Sequence, residues 1–211
     1  MKTPLLALAL AAAPFAASAA PLSYTYVEGG YNKLHVDNHP YEDTTADGAY
    51  LHGSYDFGTS GINVFGGVSK VSDTEKFSAD ERIDTDLRQD ELGVGYHQPM
   101  GERVDFIAEA AWLREVVTAT ESYAGTQYPY NADAHGGRAS AGVRGQFNDV
   151  VEGLLKANYY DGGDFQGTWT GTVGAQFHIT PMWGITAEIE HGDLINESAT
   201  TRYQIGVRAS F

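Results

Sequence analysis

The last ten residues constrain this chain more than any other stretch. From Arg202 to Phe211 the side chains alternate without a break: Tyr203, Ile205, Val207, Ala209 and Phe211 are apolar, whereas Arg202, Gln204, Gly206, Arg208 and Ser210 are polar or small. Successive side chains of a strand point to opposite faces, so this run predicts a strand with one face in an apolar medium and the other in a polar one. The pattern recurs along the chain, each time over about the 9–11 residues that a tilted strand needs to cross a bilayer. Before the terminal strand it marks strands at Ser23–Lys33, Gly48–Phe57, Ile62–Val71, Leu87–His97, Val104–Val117, His135–Phe147, Val150–Tyr160, Phe165–Ile179 and Trp183–His191. The outward faces carry, for example, Leu92, Val94 and Tyr96, then Phe106, Ala108, Ala110 and Trp112, then Phe165, Trp169, Val173 and Phe177.

The connections alternate in length. Gly58–Gly61, Gln98–Arg103, Asn148–Asp149 and Thr180–Met182 are short and hold the Gly, Pro, Asn and Asp of tight turns. Longer connections are expected at Leu34–Asp47, Ser72–Asp86, Thr118–Ala134, Asp161–Asp164 and Gly192–Thr200. Short turns at one end and long loops at the other predict an all-β, transmembrane, antiparallel up-and-down β-barrel of about ten strands. Both termini then share a side, which requires an even count; eight and twelve also satisfy that. Aromatic residues near strand ends, among them Tyr24, Tyr26, Phe147, Trp183, Trp112 and Phe165, are expected to form girdles at the two headgroup levels.

The N-terminus reads as a secretory signal. Lys2 opens it, Leu5–Phe15 is its apolar core, and Ala17-Ser18-Ala19 gives the small-x-small pattern of a cleavage site after Ala19. That apolar core is too short to span a bilayer. The expected organisation is a signal peptide at 1–19 and one barrel domain at 20–211. Loss of Lys2 with the leader takes the formal net charge from −15 to −16. A chain this acidic does not suit nucleic acid. It has no cysteine, so no disulfide contributes to stability.

Lipid offers no partner to a bare N–H or C=O, so the sheet is expected to close by pairing its first and last strands. The inward face carries charge of both signs: Glu28, Asp105, Glu109, Glu152, Glu188 and Glu190 against Arg138, Arg144, Lys156, Arg202 and Arg208. Isolated charges in a narrow lumen are costly, so a paired ladder that plugs the barrel is expected. Counting from the turns sets Arg144 near Asp105 or Glu109 and near Glu152. It sets Arg208 near Glu188, with Glu28 across the seam. A gating role for the ladder is the alternative.

No histidine sits in a recognisable Ser/His/Asp spacing, and no phosphate-binding loop or metalloprotease motif occurs. No catalytic residue, cofactor or metal is assigned. His35, Asp37, His39 and Asp43 offer metal-ligand chemistry but read as a solvated loop. Asp73, Glu75, Asp80, Glu81, Asp84 and Asp86 lack the glycine and terminal glutamate of an EF-hand loop. They read as an acidic surface that meets lipopolysaccharide through divalent ions.

The C-terminal run Tyr203, Ile205, Val207, Ala209 and Phe211 resembles the β-signal that the barrel-assembly machinery reads on outer-membrane proteins. The chain as a whole resembles the small outer-membrane barrels of xanthomonad-type bacteria, regulated by diffusible signal factor and sometimes described as immune elicitors. The resembling stretches are the leader, Leu22-Ser23-Tyr24, Tyr26–Tyr31, Val64–Gly67, Ala141–Gly145, Asp161–Phe165 and Gly174-Ala175-Gln176. More broadly the chain looks like an OmpA/OmpX-type barrel. The resemblance implies outer-membrane residence, passage by periplasmic chaperones, contact with outer-membrane lipid and lipopolysaccharide, and a non-enzymatic role in envelope structure, surface interaction or biofilm. A surface ligand is left unidentified. A narrow ion or solute channel and a rim-located enzyme are the other readings.

Overall fold

In a computed structural model, which describes residues 22–37, 43–78, 81–195 and 198–211, the chain forms ten strands. They are β1 (Tyr26–Val36), β2 (Thr44–Asp56), β3 (Ile62–Lys76), β4 (Glu81–Pro99), β5 (Val104–Tyr123), β6 (Thr126–Gln146), β7 (Val151–Gly162), β8 (Phe165–His178), β9 (Trp183–Ile195) and β10 (Ser198–Ser210). Each pairs antiparallel with its neighbours, and the sheet closes into a barrel. The seam joins β1 to β10 from Tyr26↔Ser210 to Val36↔Thr200. The expected leader and its cleavage residues Ala17 and Ala19 lie outside the described residues.

The inside and outside are reversed relative to a soluble protein. Leu92 is 65% exposed and Trp169 67% on the outer face, whereas Glu152 is 2% and Asn158 1% exposed on the inner one. Apolar side chains in this exposure suit a wall whose solvent is lipid. The odd-numbered residues of β10 face outward, with Val207 half exposed. Ala209 has that parity yet is buried, its small methyl flanked in register by Val27 and Trp183. Two inward glycines are required by bulk opposite them. A Cβ on Gly93 would run into the Phe65 ring, and one on Gly206 into the Tyr50 hydroxyl.

Two expected loops are instead sheet. β3 to β6 run 15, 19, 20 and 21 residues, so Ser72–Asp86 and Thr118–Ala134 fall largely within paired strands. The β5–β6 ladder continues without interruption to Tyr123↔Thr126. The hairpin tip is Ala124-Gly125, both at positive φ, the backbone of a two-residue primed turn. β-Branched and aromatic residues such as Val116, Val117, Thr118, Thr120, Tyr128 and Tyr130 supply the strand preference. The Asp161–Asp164 connection is also tight, because Gly162 already pairs with Phe165. Above the level where β7 joins β6 at Gly137, the outer edge of β6 has no strand beside it among the described residues.

Candidate functional site

The lumen is packed in tiers. At the short-turn end, residues 22–25 fold into the barrel mouth. The Tyr24 hydroxyl donates to Asp105 at 2.9 Å, and its ring stacks on His97 with centroids 3.9 Å apart. Leu22 and Tyr24 pack on Ile107. Arg144 donates to Glu152 at 2.6 and 3.0 Å and to the Ser23 carbonyl at 2.8 Å. His178 lies 2.6 Å from the other Glu152 oxygen.

The next tier centres on Glu28. It accepts from Arg208 at 2.5 Å, from Thr186 at 2.9 Å, and from the Tyr50 hydroxyl. Arg208 also donates to Gln176 at 3.1 Å, lies 3.9 Å from Glu188, and covers the Tyr26 ring at 4.0 Å. Above it, Glu109 accepts from Lys156 at 3.1 Å and from Arg138 at 3.4 Å, while Arg138 reaches Glu91 at 2.5 Å. In the top tier Glu190 accepts from Thr170, Tyr160 and Asn158 at 2.6, 2.7 and 3.1 Å, with Arg202 at 3.5 Å. A cavity of about 170 Å³ is what these side chains leave between them.

A closed, antiparallel ten-stranded wall with apolar side chains outside and ion pairs inside is a membrane barrel by construction. The outer membrane protein beta-barrel domain model matches residues 3–211. The chain belongs to that outer-membrane β-barrel family. Among solved structures, it is similar to Ail, the attachment invasion locus protein of Yersinia pestis, in complex with the heparin analogue sucrose octasulfate. The TM-score there is 0.52 at 15% identity, covering 89% of this chain and 97% of that chain. It is also similar to the translocator domain of the autotransporter NalP from Neisseria meningitidis, with a TM-score of 0.54 at 11% identity, covering 89% and 88%. At these identities the likeness is one of fold. Comparison with curated proteins gives no match.

In outer-membrane barrels the short turns face the periplasm; here the short turns and residues 22–25 lie at one end and the tall β3–β6 sheet at the other. Tyr24 and Tyr26, expected in the lower girdle, face the lumen instead. They share the parity of Glu28, and Tyr26 lies under Arg208. Phe165, expected to face lipid, turns inward against Tyr160 with ring centroids 6.4 Å apart. The register shift between Tyr160 and Gly162 accounts for that turn. Tyr50, Tyr160, Asn158 and Glu91 complete the tiers and were not singled out by sequence. Their inward parity was the available signal.

The acidic stretch after Val71 is divided by strand parity. Asp73 and Glu75 line the interior, whereas Asp84 and Asp86 sit on the outer face with Thr74, Lys70 and Ser72. Carboxylates on opposite faces of one wall cannot converge on a calcium ion. Asp80 lies outside the described residues. On the exposed outer face, hydrogen bonds from Lys70 at 2.9 Å and from Ser72 hold the Asp86 carboxyl below its ordinary range. Arg88–Asp90 and Arg114–Asp133 continue this row of outer ion pairs. His35, Asp37 and Asp43 come together at the outer rim, with His35 3.0 Å from Asp37; His39 lies outside the described residues.

Proposed function

We propose that this outer-membrane barrel is a non-enzymatic surface-contact protein, in which the extended β3–β6 sheet is the working part and the charged lumen is a structural plug. The observation that carries the reading is the height of that sheet. At about 3.3 Å per residue and a tilt near 40°, the stretch from Trp112 to Tyr123 stands roughly 25–30 Å above the aromatic girdle. Its outer β6 edge, with no strand beside it from Thr126 to Ala134 among the described residues, presents Tyr128 at 57% and Tyr130 at 62% exposure. An unpaired edge flanked by exposed tyrosines suits pairing with an extended segment of another protein. The name of Ail, an attachment protein of related fold, agrees with a role in attachment.

Membership of the xanthomonad-type group, cleavage after Ala19, transit with periplasmic chaperones and recognition of the Tyr203–Phe211 run by the assembly machinery belong to the same reading. So does lipopolysaccharide contact. The row of outer cations Lys70, Arg88 and Arg114, interleaved with carboxylates, matches a layer of phosphates cross-linked by divalent ions.

The test is to replace residues 118–131 by an Asn-Gly turn, which shortens β5 and β6 and leaves the wall beneath intact. Heat-modifiable migration should persist, while cell aggregation and surface attachment fall several-fold. Attachment equal to that of the full-length chain would reject the reading. Planar-bilayer recording of the full chain should show no large, stable conductance.

A further inference from the structure

Above the top ion tier the inner wall changes character. A cavity of about 550 Å³ opens at the outer mouth, and one band of its β1 to β5 wall, from Leu34 and Val36 through Ala46, Val71 and Leu87 to Val117, is apolar. Leu34, Val36 and Val71 form a buried cluster, 5%, 8% and 3% exposed, with Ala46 and Leu87 packed on it. This wall faces inward, so lipid does not explain it, and unlike the tiers below it carries no ion pair across it among the described residues. Carboxylates frame it. Glu115 is one layer below the Val71–Leu87–Val117 level, and Asp73 and Glu75 are one and two layers above it, with Asp164 and Asp193 on the facing side. No Lys or Arg lines the cavity among the described residues.

We infer that this vestibule binds a small amphipathic cation: an alkyl or aryl body on the Leu34–Val36–Val71 wall, with a protonated amine held by Asp73 and Glu75. The volume is that of a small-molecule site. Charge complementarity selects the sign, because carboxylates beside an apolar wall favour an ammonium and repel a fatty-acid or phosphate group. A narrow mouth on a chain of net charge −15 also concentrates cations by focusing the field.

The experiment uses the full barrel in lipid nanodiscs, with hexylammonium as probe, hexanoate as its anionic counterpart, and empty nanodiscs to subtract partitioning into lipid. Saturation-transfer NMR should show saturable hexylammonium binding and none for hexanoate. Asp73→Asn with Glu75→Gln should weaken binding at least fivefold. Ala134→Trp, which fills the cavity from β6, should abolish it, and both variants should keep heat-modifiable migration. Equal binding of hexanoate, no saturable hexylammonium signal, or binding that survives either variant would overturn the assignment.

Discussion

The Glu28–Arg208 pair allows the plug to be tested as energy. Breaking a buried pair from one side costs about 3–5 kcal/mol, because the remaining charge keeps its desolvation penalty and loses its partner. Arg208→Met leaves Glu28 with hydroxyl donors from Tyr50 and Thr186, which places the loss near the lower end, about 3 kcal/mol. Glu28→Met leaves Arg208 with Gln176 and the more distant Glu188, and leaves two hydroxyls without their acceptor, so about 4–5 kcal/mol is expected. The double variant removes both charges. What then remains unmade is the hydrogen bonding of Tyr50, Thr186 and Gln176, at about 1 kcal/mol each. The losses of the single variants exceed that of the double by about 4–5 kcal/mol, within the range measured for close charge pairs. Urea unfolding in vesicles, read through the lipid-facing Trp112, Trp169 and Trp183, gives the cycle directly. Additivity to within about 0.5 kcal/mol would refute the claim that these two side chains act on each other.

Val207→Arg puts a cation on the lipid face and should cost up to about 2–4 kcal/mol, whereas the inward Gln204→Arg should be milder. Equal losses of heat-modifiable folded protein would reject the assigned facing. Tyr24→Ala removes the ring stacked on His97 and the hydroxyl on Asp105, loosening the stopper at the short-turn end. Brief, small openings in bilayer recordings should become more frequent. A trace unchanged from the parent would show that residues 22–25 do not seal that end.

Two-residue periodicity made the wall legible because lipid is an unforgiving solvent: each outward position must be apolar, as along Leu92, Val94 and Tyr96. That pressure ends at the headgroups. Beyond them the outer face of β4 to β6 no longer meets lipid, so Glu121, Thr126 and Asn131 carry no alternation, and the stretch reads as loop although it is paired across the β4–β5–β6 ladder. The tip added to the misreading, since Ala124-Gly125 lacks the Asn-Gly or Asp-Gly signal of a primed turn. In the lumen, counting from the turns brought Arg144 near Glu152 and Arg208 near Glu28, and both pairs form. It did not choose among neighbours: Arg144 lies opposite Asp105 in register, yet it donates to Glu152 while the Tyr24 hydroxyl donates to Asp105. That choice depends on a segment before the first strand.

The seam carries a consequence for how the wall is made. Glu28 and Arg208 are neighbours in register though 180 positions apart in the chain, and the Phe211 amide donates to the Thr25 carbonyl at 2.9 Å. Every other adjacent pair of strands is a local hairpin that forms at low loop-closing entropy; this one joins the first strand to the last and is the most non-local strand pairing among the described residues. A partly built sheet therefore keeps two raw edges until the final strand arrives. Raw edges are intolerable in hydrocarbon, so circularisation and entry into the bilayer have to be one concerted event.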